Sequence, residues 1–168
     1  MEFPDKYKFT PDQNRRFAKS NLARLVFANT RFEGLIITLP QTETIVLGLG
    51  VDRVSVDDIN TTVQLKRGWQ YIINYHEFIS LETAKNINRI VARDDALFPG
   101  ELRTGQGFFS TYNGDYISPE TIDADKETEF LNELLASNRS TTDKALTLCS
   151  ITCVNRFSGT GINDRLHC

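Results

Sequence analysis

Four side chains of the kinds that bind zinc lie near the end of the chain: Cys149, Cys153, His167 and Cys168. The first two cysteines are one helical turn apart, and thiolates with an imidazole are able to form a tetrahedral zinc site. An odd number of cysteines argues against a disulfide framework. Because most such cysteines are small buried hydrophobic residues, we favour a packing role for them and predict no metal site.

A glycine-rich segment at the same end, residues 158–165 (SGTGINDR), has a second kind of chemistry available to it. It follows an apolar run that begins at Thr141 and reaches Phe157. Apolar residues lie on every side of the helix predicted there, which favours a buried central helix. A loop at a helix terminus commonly binds phosphate through its backbone amides. Since no further helix follows, we expect the chain to stop short of a complete site.

The composition predicts a single globular domain to position these residues. The chain has 168 residues, of which 40% are hydrophobic and 24% charged, and this balance is typical of a folded protein. The net charge is −3, and its even distribution gives no reason to expect nucleic acid or a membrane as a partner. We find no secretory signal and no apolar run of roughly 20 residues, so a cytoplasmic protein is expected.

Helix signals recur through the first half of the chain. A hydroxyl residue followed by proline, Thr10 and Pro11, predicts the start of a helix, and Gly34 is its predicted stop. A shorter helix is expected from near Pro40 to the glycines at 48–50. Ser55 then opens a long helix around Trp69. These signals favour an all-α fold.

The second half of the chain interrupts this pattern once. Ser80 opens another amphipathic helix. Asn113 and Gly114 then separate two short β-prone runs, which predicts a small hairpin. Ser118 and Pro119 are the predicted start of the helix that precedes the apolar one. The whole pattern is therefore one helical domain that carries a hairpin on its surface.

Three segments follow one another in an informative order: ANTRFEGLIITLPQTETIVLG at 28–48, FPGELRTGQGFF at 98–109, and KALTLCSITCVNRFSG at 144–159. Together they resemble the Fic (filamentation induced by cAMP) family, whose enzymes transfer AMP from ATP to a hydroxyl of a target protein. The resemblance covers nearly the whole chain. It implies a single Fic-like helical domain over residues 1–168 with a small β-hairpin flap, truncated at the C-terminus. Within it, residues 1–50 would be an N-terminal region with an inhibitory-helix-like segment, and 51–168 a partial Fic core.

The resemblance implies an inhibitory role for Glu33, followed by Gly34. In the family this glutamate points into the nucleotide site and pairs with an arginine that otherwise holds the γ-phosphate of ATP. A carboxylate on such an arginine competes directly with phosphate for a bidentate partner. The family's small hydroxyl residue, four positions earlier, is replaced by Asn29, with Thr30 next to it. The alternative is an ordinary solvated glutamate at a helix end.

The resemblance also implies a target-docking flap around the predicted hairpin. Its residues in this chain are Arg103, Thr104, Phe108 and Phe109. In the family the exposed backbone edge of the flap pairs with an extended segment of the target protein. Strand addition of this kind gains affinity from backbone hydrogen bonds and specificity from side-chain pockets. The alternative is that the aromatic residues simply pack the hairpin onto the helices.

The catalytic loop departs from the family pattern, which is His-x-Phe-x-Asp/Glu-Gly-Asn-x-Arg-x-x-Arg. The histidine is a general base, the acidic residue holds Mg²⁺, and the Gly-Asn turn and arginines bind the triphosphate. In an alignment through Phe157, the histidine position holds Asn155 and the acidic position Gly159. The remaining functional positions hold Thr160, Gly161, Asn163 and Leu166.

No catalytic set is therefore intact. A gapped alignment recovers Gly161, Asn163 and Arg165 in order around Phe157, but it supplies neither a base nor a metal-binding carboxylate. ATP with Mg²⁺ is the cofactor that the family implies, and we expect this chain to bind it weakly or not at all. We expect little or no AMP transfer.

A shifted reading frame is a hypothesis that explains both the altered loop and the early stop. Codons for Gly159 to Arg165, read from each preceding third base, are able to spell Asp-Gly-Asn-Lys-Arg, the loop of the family. Two functional classes then remain: a regulated AMP transferase that is truncated or damaged, and a noncatalytic protein-binding module or frameshifted remnant. The implied partner is a target protein at the flap. Marginal stability or a homodimer is also predicted, because missing helices would expose an apolar face.

Overall fold

The computed structural model describes residues 3–105, 108–111, 114–117 and 121–155. These residues form an all-α domain with one two-stranded antiparallel hairpin, as the sequence predicted. The helices are α1 (Pro11–Ser20), α2 (Leu22–Phe32), α3 (Leu39–Val46), α4 (Val56–Asn74), α5 (Leu81–Val91), α6 (Ala124–Ala136) and α7 (Thr141–Asn155). The strands are β1 (Phe108–Thr111) and β2 (Gly114–Ile117).

The first predicted helix is two helices in the structure. Thr10 caps α1 in a capping box, in which its hydroxyl accepts from the Gln13 amide at 3.3 Å and its amide donates to Gln13 Oε1 at 2.8 Å. The chain breaks at Asn21, whose side-chain nitrogen donates to the Phe17 carbonyl at 2.9 Å. An asparagine side chain that bonds the backbone in this way competes with helix continuation. The predicted stop at Gly34 is confirmed for α2.

Helix α4 lies at the centre of the described fold. It packs against α1, α2, α3 and α5, and it buries Leu65 and Ile73. The close approach of α5 depends on Gly68, where an added Cβ would lie 2.6 Å from Cγ2 of Val91. Two helices approach this closely only where one of them has no side chain, so Gly68 sets the spacing between α4 and α5.

Helix α7 is not the buried central helix that its apolar residues predicted. Among the described helices its packing partner is α6, Leu146 is 48% exposed, and Cys149 is also exposed. Its apolar side chains are spread around the whole helix, so a single neighbouring helix covers only some of them. The described part of α7 therefore lies at the edge of the domain.

The start of α7 is held by residues from the other end of the chain. Asp5 accepts from the Thr141 amide at 3.0 Å, and from the Thr142 amide and hydroxyl at 2.8 Å and 2.9 Å. The Phe3 amide donates to Oδ1 of Asp143 at 3.1 Å. Phe3 and Asp5 are called the N-terminal clasp below. The hydrogen bonds from Thr142 and Thr141 lower the pKa of Asp5 from 3.8 to about 2, because they stabilise the charged carboxylate.

Helix α6 begins at Ala124, later than the start predicted at Ser118 and Pro119, two residues outside the described ranges. Oδ1 of the cap residue Asp123 accepts from the amides of Asp125 and Lys126, at 3.1 Å and 3.3 Å. The hydrogen bond from Lys126 is the main reason that the pKa of Asp123 is lowered. An aspartate is as good a cap as serine, and α6 starts after Asp123 and not at the predicted Ser-Pro pair.

The predicted hairpin is confirmed. Strand β1 pairs with β2 in an antiparallel register, from Phe108 opposite Ile117 to Thr111 opposite Gly114. Gly114, which was predicted to separate the two runs, is the first residue of β2 and lies opposite Thr111. Within the described ranges, β1 and β2 pair only with each other.

Candidate functional site

Glu33 lies at the C-terminal end of α2 and is half-buried. Its amide donates to the Asn29 carbonyl at 3.1 Å. Gly34 follows with φ +72°, a left-handed conformation that glycine adopts without steric cost. The hydrogen bonds of a Schellman motif close this end: Leu35 amide to Thr30 carbonyl at 2.9 Å, and Gly34 amide to Arg31 carbonyl at 3.2 Å. Gly34 therefore fixes where α2 ends and where Glu33 is presented.

The last turn of α2 is fastened to α4 by a side-chain hydrogen bond. Nε1 of Trp69 donates to Oδ1 of Asn29 at 2.7 Å. The neighbouring Thr30 is fully buried, and its hydroxyl donates to the Phe27 carbonyl at 2.8 Å. The position that carries a small hydroxyl residue in the Fic pattern thus holds an amide that bridges two helices.

The sequence analysis did not identify the Asn29–Trp69 pair. One signal was available, because a buried indole N–H usually finds an acceptor. Helical periodicity placed Trp69 on a long helix but does not specify which other helix packs there. The acceptor lies 40 positions earlier in the chain, and only the tertiary fold brings it close.

The turn that leads to the hairpin is docked on α5. The Gly100 amide donates to Oδ1 of Asn88 at 2.8 Å. Gly100 has φ +78°, and an added Cβ would lie 2.8 Å from Cβ of Arg89 and 2.9 Å from the Lys85 carbonyl. Backbone atoms are unable to move aside cheaply, so this position requires glycine.

Two of the predicted flap residues lie just after this turn. Arg103 is 7% exposed, and its Nη1 donates to the Gly105 carbonyl at 2.8 Å. Thr104 is exposed. The guanidinium of Arg103 supports the backbone that leads to β1, whereas Thr104 is accessible to a partner. A role in target docking remains a prediction for both residues.

Phe108 and Phe109 lie on β1, but their side chains are outside the described part of the structure. The loop positions Phe157, Gly161, Asn163 and Arg165 also lie outside the described residues. Asn155, at the histidine position, is the last residue of α7. Predictions for these side chains therefore remain predictions.

Helix α4 connects the two described parts of the site. Trp69 contacts the turn of α2 that precedes Glu33, and the adjacent Gly68 lies against Val91 of α5. Helix α5 in turn carries Asn88, which holds the turn before the hairpin. Helix α4 therefore contacts the end of α2 directly and the turn before the hairpin through α5.

The described residues contain no group of three or more His, Cys, Asp or Glu side chains arranged to hold a metal ion. No described helix is long and apolar enough to cross a membrane.

Comparison with solved structures identifies the fold. A Fic family protein from Desulfovibrio desulfuricans G20, known from a crystal structure at 2.70 Å, matches with a TM-score of 0.73 and 16% sequence identity. The match covers 93% of this chain and 49% of that one, so the chain spans about half the length of that protein. No family model matches the sequence. No curated protein matches it either. The chain therefore has a Fic-like fold, as the resemblance implied.

Proposed function

We propose that this chain is a Fic-type protein, related to enzymes that transfer AMP from ATP to a protein hydroxyl, in which the end of α2 blocks a nucleotide site. The observation that carries the proposal is the presentation of Glu33 at a helix end closed by Gly34, within a Fic-like fold. A charged carboxylate held in this way competes with a phosphate for the same cationic partner. Obstruction would need no large movement of the domain.

The hairpin supports the second half of the proposal, the docking of a target protein. Within the described ranges β1 and β2 form a two-stranded sheet, so each strand has an edge with unpaired backbone groups. An extended target segment is able to add to such an edge. The docked turn at Gly100 gives the hairpin a fixed base on α5.

The residues at the catalytic loop positions favour a protein that transfers AMP weakly or not at all. A carboxamide at Asn155 is unable to accept a proton as an imidazole does. We therefore expect little or no AMP transfer by this sequence. The alternative function is a noncatalytic protein-binding module that keeps the hairpin, and the replacement of the histidine by Asn155 favours it.

Nucleotide binding by calorimetry tests the inhibitory half. The Glu33→Gln variant should bind MgATP about tenfold more tightly than the parent chain, because a charge-assisted hydrogen bond contributes about 1.5–3 kcal/mol. Glu43→Gln, at an exposed glutamate on α3, is the matched control and should leave the affinity unchanged. Equal affinities for the parent and Glu33→Gln would refute the inhibitory role, and no binding by any of the three proteins would favour the binding module.

The frameshift hypothesis has its own test. The nucleotide sequence of the native gene, read from the Cys149 codon to well beyond the Cys168 codon, shows whether an alternate frame encodes Asp-Gly-Asn-Lys-Arg followed by further helices. An open alternate frame would support descent from a longer Fic-type transferase, although the shift does not restore a histidine at position 155. A closed and unrelated frame would support the noncatalytic module.

A further inference from the structure

Asn29 makes two hydrogen bonds that point in different directions. Its backbone carbonyl accepts from the Glu33 amide at 3.1 Å, and its side-chain Oδ1 accepts from Nε1 of Trp69 at 2.7 Å. One residue therefore connects Glu33, one turn further along α2, to the central helix α4. Both Asn29 and Trp69 are only partly exposed, and a hydrogen bond shielded from water is stronger than one on the surface.

The end of α2 has few apolar contacts that would hold it otherwise. Phe32 is 74% exposed and Ile36 is 92% exposed. The nearest fully or nearly buried side chains are Thr30 on one side and Ile37 on the other. The segment between them contains Glu33 and Gly34, and the backbone hydrogen bonds of the helix end and the contact from Asn29 to α4 both contribute to its position.

An apolar side chain at position 29 would fill a similar volume but would not accept a hydrogen bond from the Trp69 indole. Its presence would leave the Trp69 N–H without its acceptor in a partly buried position, and an unmet donor is costly. The need for an acceptor at position 29 therefore comes from Trp69. Residue 29 affects the position of the end of α2 through this hydrogen bond and not through the volume that it fills in the core.

We propose that Asn29 and Trp69 are a positioning pair that sets the place of Glu33. The regulatory part of this inference rests on the proposed function, since it assumes that Glu33 obstructs a nucleotide. When the pair is broken, the last turn of α2 loosens, and Glu33 is presented in the blocking position for a smaller fraction of the time. Trp69 is the only tryptophan of the chain, so its indole signal reports the state of this contact directly.

Hydrogen exchange measured by NMR tests the positioning part without any nucleotide. Asn29→Leu keeps the approximate size of the side chain but removes the acceptor. In this variant the Trp69 indole proton and the amides of Glu33 and Leu35 should exchange with solvent about fivefold faster. This factor is expected for the loss of one hydrogen bond. Asn29→Gln keeps a neutral amide acceptor and should retain the parent rates. Asn60→Leu changes an exposed asparagine of α4 and should also leave these rates unchanged.

Trp69→Phe provides a second route if Asn29→Leu does not fold. It keeps an aromatic ring but lacks the donor, and it should raise exchange at Glu33 and Leu35 to a similar extent. Parent-like exchange at these two amides in both variants would overturn the positioning pair.

MgATP binding separates this inference from the proposed function. Asn29→Leu should shift the affinity in the same direction as Glu33→Gln, and Asn29→Gln should not shift it. If Glu33→Gln tightens binding while Asn29→Leu has faster exchange but unchanged affinity, the regulatory part is overturned. If Glu33→Gln also has no effect, the proposed function fails, while faster exchange in Asn29→Leu still supports the positioning pair.

Discussion

Single glycines determine the backbone at two places in the candidate site. Gly34 ends α2 directly after Glu33, and Gly100 lies against α5 at the base of the hairpin. The first was predicted, because a glycine after an amphipathic run is a common helix stop. The second was not, since its need for glycine comes from the backbone of another helix. The local need for glycine at position 34 was therefore predictable from the sequence, whereas the need at position 100, which depends on another helix, was not.

Replacement of Gly100 should destabilise the fold. In Gly100→Ala the new Cβ would lie 2.8 Å from Cβ of Arg89, at a residue with φ +78°. Strain and overpacking of this kind each cost about 1–3 kcal/mol. Gly50→Ala is the matched control, because nothing lies within 4 Å of an added Cβ and its φ is not left-handed. In denaturant unfolding, the free energy of unfolding should be clearly lower for Gly100→Ala and should change by no more than about 0.5 kcal/mol for the control.

At the scale of whole elements, local capping signals were more reliable than apolar content. The starts at Thr10, Ser55 and Ser80 are confirmed by side chains that accept from backbone amides. The apolar residues of the helix at Thr141 predicted burial, yet in the described structure the central position belongs to α4. Burial depends on how many neighbours surround a helix, and this number is not encoded in the helix itself.

The spacing of α4 and α5 should be sensitive to one methyl group. Gly68→Ala places a Cβ 2.6 Å from Cγ2 of Val91, and overpacking should cost about 1–3 kcal/mol despite the better helix propensity of alanine. In the background of Val91→Ala, the added methyl should cost less, because its obstacle is gone. A double-mutant cycle of unfolding free energies measures this coupling. Strict additivity of the two changes would show that the contact does not set the helix spacing.

The clasp on α7 should make stability depend on acidity. The folded pKa of Asp5 is lowered from 3.8 to about 2, so its contribution is present above about pH 4 and is lost as the pH falls towards 2. The difference in Tm between the parent and Asp5→Asn should be constant above pH 4 and should disappear between pH 4 and 2. Asp52→Asn, at an exposed turn residue, is the control. A difference that persists unchanged to pH 2 would contradict the assignment to Asp5.

At the scale of the whole molecule, the fold matches half of a longer Fic family protein. The Fic-like fold was predictable because three segments of the sequence follow one another in the order found in the family, although no one of the segments was decisive. The position of α7 at the edge of the described fold was not predictable from motifs, since it depends on which other helices pack against it. The homodimer accordingly remains a prediction.

Association of the chain should depend on the exposed face of α7. Leu146, which is 48% exposed, lies on a helix with few described neighbours, and apolar patches of this kind favour association. Sedimentation velocity should show a concentration-dependent dimer for the parent and a monomer for Leu146→Lys. Leu97→Lys changes an exposed leucine far from α7 in the sequence and should not affect association. A parent chain that remains monomeric at all concentrations would refute the dimer.

The clasp also has a consequence for the order of folding. Its hydrogen bonds join residues 136 to 140 positions apart, so they close almost the whole chain into one loop, and such contacts form late. During synthesis, Asp5 has no α7 to bind until Thr142 has left the ribosome, and the central helices have time to pack first. In pulse-labelled refolding, the amide of Thr142 should therefore become protected from hydrogen exchange later than the indole N–H of Trp69. Asp5 would therefore be among the last residues to reach its folded contacts.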